Sequence, residues 1–531
     1  IKVHRTISPL TTIKTHKQKK RKDDRNHLSS LLLYFKFFIH LCFSYTVSSR
    51  PKGRTSRNLT NLRQLDLSHV NLSSEMPQMM ISNLTSLRSI RLHGCNLFGR
   101  FPRLSPTIRS IDLSVNPHLE SSLPEFNGRK IPSSIGNLSH LNILDFGYNN
   151  LAGEIPTALF NLTKLSSLSL ASNHFTGTLP HNINSLSNLN IFNAASNSFF
   201  GTVPSTFFNI PCLESLDLGD NQFSGPLEIG NISSMSKLQS LVLSKNNLTG
   251  PIPRSISKLV NLVYLDLSYL NTRGPLDVGI FWHLKSLQQL TLSHINTTIA
   301  RIDLNAVLSL PLKSLSILDL SGSHVSVENM SSVSTLLSQL IYLFLSGCGI
   351  TVFPEFISSL QYISMIDLSN NSIKGQVPAW LWRLPELHYA ELSYNAINGF
   401  KEFPKDVSRT MMMLNLSSNG FVGNIPSSLA NLVQLESLDL SHNKLSGHIP
   451  RDLADLTSLC IIRVSHNKLV GMIPKSTQFQ TQNVSGFEDN AGLSMNVELA
   501  VMIRRFQNKK RRRRKKKNPI LKFTLACHFL Y

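Results

Sequence analysis

Leucine and other apolar residues recur along the chain in the order L-x-x-L-x-L-x-x-N-x-L, in which x is mostly polar. One clear copy runs from Leu435 to Leu445, and others begin at Leu141 and Leu238. With Ile or Met allowed at the first position there are 17 copies, about 25 residues apart, and they begin at residues 62, 87, 108, 141, 165, 189, 213, 238, 262, 287, 315, 340, 363, 387, 411, 435 and 459. Seventeen copies in phase indicate a repeat protein.

Each copy predicts one coil of a solenoid. Within L-x-L the side chains alternate between the two faces of a short strand, so the Leu residues face a core and the x residues face outward. One coil cannot bury its own apolar face, and coils therefore stack with their strands in one long parallel sheet. We predict an α/β solenoid, a superhelix of about 17 coils with a concave parallel β-sheet, over residues 61–490.

An Asn follows the strand in most copies, where its side-chain amide can hydrogen-bond the backbone of the bend. It is present at 11 positions: Asn116, Asn149, Asn173, Asn197, Asn221, Asn246, Asn371, Asn395, Asn419, Asn443 and Asn467. The other six positions hold Val70, Cys95, Leu270, Ile295, Ser323 and Cys348. Four of these six fall in the consecutive copies 9 to 12, where we expect a change of curvature or a softer segment.

The second half of many copies reads G-x-I-P, as in Gly153 to Pro156 and Gly447 to Pro450. Gly permits the positive φ of a tight turn, and Pro blocks further strand pairing. This resembles the plant-specific type of leucine-rich repeat, and residues 474–493 resemble the closing stretch of plant receptor-like proteins. The resemblance implies a cell-surface ectodomain, related to those of leucine-rich-repeat receptor kinases, with a short or absent cytoplasmic part.

Receptors of this kind usually have features that the sequence does not show. They open with a paired-cysteine cap, many contain a non-repeat island, and they end with an acidic stretch and a membrane helix. No apolar run here reaches the roughly 18 to 20 residues that span a bilayer. We therefore expect a fragment or an incomplete gene product, whose complete form associates with a membrane.

The formal charge of +22 lies in the two ends of the chain. Residues 1–60 form a basic flank, which contains a candidate signal or anchor segment at 31–46, and residues 491–531 form a basic tail that we predict to be disordered. The body carries nearly equal numbers of acidic and basic side chains, which argues against nucleic acid as a partner. The cationic run from Lys509 to Lys517 fits a nuclear import signal, a nucleic-acid-binding arm, a membrane-surface patch or translated non-coding sequence.

Motifs of catalysis, metal binding and cofactor binding are missing from the sequence. There is no phosphate-binding Gly-rich loop, kinase catalytic loop, nucleophile elbow or H-E-x-x-H motif. The six cysteines show neither a C-x-x-C pair nor the even spacing of a disulfide framework. We predict a protein that is not an enzyme and that has no cofactor and no metal site.

Twelve N-x-S/T sequons indicate passage through the secretory pathway. Many arise from the Asn-Leu-Ser/Thr of the repeat itself, although Asn296, Asn329 and Asn483 lie outside that context. The predicted glycosylation sites are Asn58, Asn71, Asn83, Asn137, Asn161, Asn231, Asn247, Asn296, Asn329, Asn370, Asn415 and Asn483. These sites predict that the protein is located on the extracellular side of the plasma membrane, or that it is secreted if the chain is complete as written.

The outward positions of the strands predict a binding surface, because solenoids of this kind bind extended partners on the concave sheet. Aromatic side chains contribute strongly to binding, and at these positions they concentrate in copies 9 to 14. The predicted ligand-binding residues are Tyr264, Tyr269, His294, Tyr342, Phe344, Tyr389 and Tyr394. The alternative is that these rings only pack sideways along the sheet.

Three functions follow as hypotheses. The first is the ectodomain of a plant receptor-like protein that recognises a peptide or pathogen-derived ligand and signals through a partner receptor kinase. The second is a secreted inhibitor of microbial cell-wall-degrading enzymes, a class that resembles this fold with fewer repeats. The third is an intracellular scaffold directed to the nucleus by the cationic tail.

Overall fold

A computed structural model describes most of the repeat region. The described residues are 61–72, 84–99, 104–119, 131–230, 232, 236–271, 276–295, 301–326, 337–401, 407 and 409–494. The candidate signal segment and the cationic run lie outside these residues.

Each of the 17 predicted copies supplies one three-residue strand to a single 17-stranded sheet. We number these strands β1 to β17 in chain order: Gln64–Asp66, Ser89–Arg91, Ser110–Asp112, Ile143–Asp145, Ser167–Ser169, Ile191–Asn193, Ser215–Asp217, Ser240–Val242, Tyr264–Asp266, Gln289–Thr291, Ile317–Asp319, Tyr342–Phe344, Met365–Asp367, Tyr389–Glu391, Met413–Asn415, Ser437–Asp439 and Ile461–Arg463. The predicted fold class and repeat number are therefore confirmed.

Every strand pairs in parallel with the next one along the chain, and the register is the same throughout. Leu265 in the middle of β9, for example, lies opposite Leu241 on one side and Leu290 on the other. All three leucines are fully buried. This stacking of one Leu per coil places the two flanking residues of each strand on the concave, outward face.

Short strands and helices complete the coils. In the described part of the chain, fifteen further strands follow the bend: Phe98–Gly99, His118–Leu119, Ala152–Gly153, His174–Gly177, Ser198–Gly201, Gln222–Pro226, Asn247–Thr249, Ile302–Asp303, Val325–Ser326, Lys374–Val377, Ala396–Phe400, Val422–Asn424, Lys444–Gly447, Lys468–Met472 and Gly492–Ser494. The 3₁₀-helices are Ser133–Asn137, Thr157–Asn161, His181–Ser185, Ser205–Asn209, Arg254–Lys258, Val278–Phe281, Glu355–Ser359, Ala379–Arg383, Ser427–Asn431, Arg451–Asp455 and Val484–Gly486, and the α-helices are Leu304–Leu308 and Thr477–Gln480.

The Pro of the G-x-I-P motif stands at the start of a 3₁₀-helix. Pro156 and Pro450, for example, are in the position just before the first helical residue, with φ of −65° and −57°. The fixed φ of Pro suits this entry, and its missing N–H removes a strand hydrogen bond. Gly153 and Gly447 have the predicted positive φ, at 85° and 73°.

The interior of the bend is an Asn ladder, formed by the 11 predicted Asn residues and Asn490. Asn221 shows the pattern: its Nδ2 donates to the carbonyls of Ala194, Leu218 and Gly219, at 3.0, 3.2 and 3.1 Å. Its Oδ1 accepts from the backbone N–H of Phe199 at 3.0 Å. One side chain thus satisfies four buried backbone groups of two adjacent coils.

Coils 9 to 12 form a gap in this ladder, with Leu270, Ile295, Ser323 and Cys348 at the Asn position. The Ser323 hydroxyl donates to Leu292 O at 2.8 Å and accepts from the Ile295 N–H at 3.0 Å. The Cys348 thiol donates to Leu320 O at 3.2 Å. Leu270 and Ile295 bring no polar side chain at all, yet the strands of these coils keep the common register.

A coil at residues 476–494 covers the last strand, β17. The Gln482 side chain takes the place of a further strand, since its Oε1 accepts from the Ile462 N–H at 3.0 Å and its Nε2 donates to Cys460 O at 3.1 Å. Asn490 continues the ladder by accepting from the Leu469 N–H at 3.0 Å. The sheet edge is therefore capped by side-chain amide groups.

The helices of the described residues span three to five residues. Within this part of the chain, none has the length or the apolar character to cross a bilayer.

Candidate ligand-binding groove

Two rows of side chains run across the concave face, one on each side of the buried leucines. The register of β7 to β14 aligns the members of each row. The first row, which we call the aromatic row, contains Tyr264, Gln289, Ile317, Tyr342, Met365 and Tyr389. The second, which we call the acidic row, contains Asp217, Val242, Asp266, Thr291, Asp319 and Phe344 in β7 to β12, and Asp367 and Glu391 continue the same register in β13 and β14.

Both rows line one groove of about 850 Å³ on the concave face. Five of the seven predicted ligand-binding residues lie in its wall: Tyr264, Tyr269, Tyr342, Phe344 and Tyr389. His294 and Tyr394 are outside this lining. His294 instead stacks on Tyr269 at the rim, with ring centroids 4.3 Å apart and planes 9° apart. Tyr394 is 64% exposed, two coils beyond the aromatic side chains of β12.

The aromatic side chains divide between open and packed positions. Tyr269 and Tyr342 are 46% and 37% exposed, whereas Tyr264 and Tyr389 are partly buried. The rings of Tyr342 and Phe344 lie parallel, with centroids 6.5 Å apart. Sideways packing along the sheet therefore coexists with accessible aromatic surface in the same groove.

The carboxylates contribute to the groove in a way that sequence reasoning missed, because L-D-L-S is the repeat's own pattern. One oxygen of each Asp supports the backbone, since Oδ1 of Asp217, Asp266 and Asp319 accepts from the N–H two residues further on, at 3.0, 2.9 and 2.9 Å. The three side chains nevertheless lie in the groove wall. Alignment of the copies by strand register, rather than composition, is the signal that brings them together.

Burial shapes the acid–base behaviour of this face. Loss of solvent raises the pKa of Asp217 and of Asp319, and the charge of Asp266 adds to this effect in both cases. Burial, with the same three carboxylates nearby, also raises the pKa of the Tyr264 hydroxyl. The groove therefore holds negative charge that water solvates poorly.

The charge pattern differs at the two ends of the concave face. On the adjacent strands β1 and β2, Asp66 Oδ2 lies 3.9 Å from an Arg91 guanidinium nitrogen, and on β16 and β17 Asp439 Oδ2 lies 3.2 Å from that of Arg463. The described residues include no comparable ion pair to Asp217, Asp266 or Asp319.

A second, smaller cavity of about 320 Å³ lies over β1 to β4. There the Ser114 hydroxyl donates to Asp112 Oδ1 at 2.6 Å and lies 2.7 Å from His93 Nδ1. Because this hydroxyl donates to the carboxylate, the His93 ring is placed to donate to Ser114 rather than to accept its proton. The group therefore lacks the Ser-to-His hydrogen bond that activates a nucleophile.

Within the described residues, no cluster of His, Cys, Asp and Glu is placed to hold a metal ion. Cys95, Cys212, Cys348 and Cys460 are free thiols. Burial raises the pKa of Cys95 to about 11 and that of Cys348 to about 12.

Six predicted glycosylation sites are on the surface: Asn71, Asn137, Asn161, Asn247, Asn370 and Asn483. Asn415 is half-buried in β15, where its Nδ2 donates to Glu391 Oε2 at 2.9 Å. The remaining sites lie outside the described residues: Asn58, Asn83, Asn231, Asn296 and Asn329.

Family models match the repeats directly. A leucine-rich-repeat model matches residues 409–469, and a second one matches residues 140–162, 164–186, 237–259 and 362–384. Among curated proteins, receptor-like protein 53 of Arabidopsis thaliana is 52% identical over 139 residues, and receptor-like protein 32 of the same plant is 46% identical over 155 residues. The chain contains leucine-rich repeats, and a block of them is similar in sequence to those of plant receptor-like proteins.

The matches to these relatives are partial. They cover 26% and 27% of this chain, and only 14% and 17% of the two relatives. They therefore concern a block of repeats rather than a whole receptor.

Solved structures share the solenoid. A plant peptide hormone receptor, RGFR1 in complex with RGF2, has a TM-score of 0.57 at 22% identity and covers 84% of this chain and 81% of its own. A TDR receptor has a TM-score of 0.52 at 22% identity, covering 82% and 93%. InlJ from Listeria monocytogenes reaches 0.53 at 16% identity, covering 78% and 75%. Because a bacterial protein scores as well, these likenesses establish the fold alone.

Proposed function

We propose that this chain is a ligand-binding ectodomain at the plant cell surface, which recognises a peptide or pathogen-derived ligand on its concave face and signals through a partner receptor kinase. The observation that carries the proposal is the groove over β7 to β14, in which accessible aromatic side chains and poorly solvated carboxylates lie together. A concave groove of this volume, with aromatic side chains beside polar groups that can orient a ligand, is typical of a binding site.

The comparisons support a receptor function. Receptor-like proteins 53 and 34 of Arabidopsis thaliana are relatives of this chain, and RGFR1, which has the same fold, is a peptide hormone receptor. Proteins of this type bind ligands and are not enzymes. We extend that to this chain, and we propose a partner receptor kinase as the protein through which it signals.

Photo-crosslinking tests ligand binding at the groove. A photoreactive phenylalanine analogue at Tyr342 should capture a peptide from plant apoplastic fluid, which mass spectrometry would identify. The matched control carries the analogue at Tyr148, which is 62% exposed and lies outside the groove. Equal capture at both positions would contradict a binding site in the groove, and so would the absence of capture by a correctly folded Tyr342 variant.

Cell-surface location has a separate test. The tagged protein, expressed in plant cells, should migrate faster on a gel after removal of its N-glycans, because six sequons are exposed. No shift would contradict entry into the secretory pathway. Inhibition of a polygalacturonase by the purified, glycosylated protein would instead favour a secreted enzyme inhibitor.

A further inference from the structure

Within the groove, the acidic row holds three carboxylates on alternate strands. In the acidic row, Asp217, Asp266 and Asp319 are separated by Val242 and Thr291, neither of which carries a charge. One oxygen of each carboxylate accepts a hydrogen bond from the backbone two residues further on, and the side chain forms part of the groove wall. The spacing of these charges is thus set by the strands themselves.

At the two ends of the concave face, an Arg side chain of the same chain neutralises the charge of an outward Asp. Asp66 and Asp439 each have an Arg on the adjacent strand, at 3.9 and 3.2 Å. The groove has no such Arg among its lining residues. The difference is therefore in the neighbouring side chains and not in the backbone or in the Asp position.

The charge of the groove is correspondingly one-sided. Its wall contains the carboxylates of Asp217, Asp220, Asp266 and Asp319 against the single ammonium of Lys245, which lies 6.0 Å from the centroid of the Tyr269 ring at the rim. Burial raises the pKa of Asp217 and Asp319, so their ionised forms are destabilised in the groove. A ligand cation would offset this cost.

One polar group in the groove wall also lacks a partner. The Thr291 Oγ1 atom is buried and has no hydrogen-bond partner in the described part of the chain, although it lies between Asp266 and Asp319 in the acidic row. Buried hydroxyls are normally hydrogen-bonded. The Thr291 hydroxyl is therefore an unsatisfied polar group in the acidic row.

We propose that the groove binds an extended, cationic peptide segment, with Lys or Arg side chains against Asp217, Asp266 and Asp319 and apolar side chains against the aromatic row. The proposal rests on the proposed function and adds the chemistry of the ligand. Charge complementarity is the reason for this occupant: an acidic or neutral segment would leave the three carboxylates unpaired, and Asp217 and Asp319 are poorly solvated.

The strand spacing also sets the periodicity of the ligand. Neighbouring strands lie about 4.8 Å apart, so carboxylates on alternate strands are about 9.5 Å apart. A polyproline II segment advances about 9.3 Å in three residues and returns each third side chain to the same side. A β-strand over the same distance would turn that side chain to the opposite face. Cationic residues at every third position of a polyproline II segment therefore match the row.

Synthetic peptides test both charge and spacing. The probe consists of three Arg-Pro-Leu repeats with a fluorescein label, and the control has the same composition with the three Arg, the three Pro and the three Leu residues grouped. Fluorescence anisotropy should show binding of the periodic peptide that is at least roughly fivefold tighter and that weakens with added salt. Equal affinity of the two peptides, or binding of a Glu-Pro-Leu version, would overturn the proposal.

Substitutions locate the binding. Asp266→Asn should weaken the periodic peptide roughly tenfold, since it removes one charge-assisted contact. It keeps the amide oxygen that accepts from Ser268. Asp112→Asn is the matched control, because Asp112 makes the same contacts to Ser114 but lies outside the groove. Equal effects of the two substitutions would contradict binding in the groove.

The outcomes also separate this inference from the proposed function. Capture of an apoplastic peptide at Tyr342, together with no preference for the periodic probe, would retain the receptor function and reject the cationic ligand. A preference for the periodic probe that Asp266→Asn abolishes supports the inference directly.

Discussion

The coils of the Asn ladder and those of the ladder gap build one continuous sheet with different interior hydrogen bonds. In the ladder, one amide side chain satisfies four backbone groups, as at Asn221. In the gap, Ser323 satisfies two, and Leu270 offers none. Register is nevertheless the same in both regions, so the stacked leucines are sufficient to align the strands.

The coils of the ladder gap also form part of the candidate binding groove. The strands of the gap coils carry Tyr264, Thr291, Asp319, Tyr342 and Phe344, which form most of the groove centre. The coils with the fewest interior hydrogen bonds therefore present the densest set of candidate binding residues. The interior hydrogen bonds of a coil and the residues on its concave surface can therefore differ independently. Each coil contacts mainly its two neighbours, so a change in one coil affects few others.

Removal of a ladder Asn should have the largest effect. Asn221→Ala deletes four hydrogen bonds and leaves the buried Phe199 N–H without the Asn221 acceptor, although each of the three carbonyls keeps one other donor, and we expect a loss of about 2 to 3 kcal/mol in the free energy of unfolding. Urea denaturation measures it. Gln222→Ala, at the exposed neighbouring position, should cost less than about 0.5 kcal/mol. Similar losses for both variants would show that the ladder does not stabilise the coils as we infer.

Removal of the polar side chain in the gap should cost less. Ser323→Ala deletes two hydrogen bonds, to Leu292 O and from the Ile295 N–H, and we expect a loss of about 1 to 2 kcal/mol in the free energy of unfolding. The same urea titration measures it. A loss as large as that of Asn221→Ala would mean that the gap depends on its few polar contacts as strongly as the ladder does.

A charge substitution in the groove should stabilise the fold slightly. Burial raises the pKa of Asp319 above its ordinary value of 3.8, so the folded state binds this proton more readily than the unfolded state, and stability falls as the pH rises between the two pKa values. Asp319→Asn should therefore raise the urea midpoint at pH 7, and the gain should vanish below the unfolded pKa of 3.8.

Asp439→Asn provides the contrast for that measurement. It removes the partner of Arg463 at 3.2 Å, so it should bring no gain at pH 7. A gain in both variants, or in neither, would contradict the distinction between paired and unpaired carboxylates.

Thiol labelling compares how readily the gap coils and the other coils open, and it needs no substitution. At pH 8, iodoacetamide should modify the exposed Cys460 and leave the buried Cys95 and Cys348 intact, since their pKa values near 11 and 12 leave almost no thiolate. Mass spectrometry measures the adducts. Cys348 labelled faster than Cys95 would show that the gap coils open more readily, whereas protection of Cys460 would contradict its exposure on the surface.

Much of the architecture can be predicted because one physical requirement repeats in every coil. The Leu pattern locates all 17 strands, and the ladder Asn is recognisable wherever it follows L-x-L. Asn490 escapes the pattern because Phe487 replaces the expected leucines of its coil. The acidic row also escapes it, because burial of Asp217 and the lack of a neighbouring Arg depend on packing between coils that a single copy does not show. The stacking of His294 on Tyr269 depends on the side-chain rotamers of both residues, which the sequence pattern does not indicate.

The amide of Gln482 has a consequence for how such a protein can change length during evolution. It occupies the hydrogen-bonding positions at Cys460 and Ile462 that a further coil would use. Duplication of coils is therefore tolerated upstream of this residue, where every new strand finds an identical neighbour. An array copied without the 476–494 coil would instead end in an open edge, which invites pairing with another molecule and aggregation.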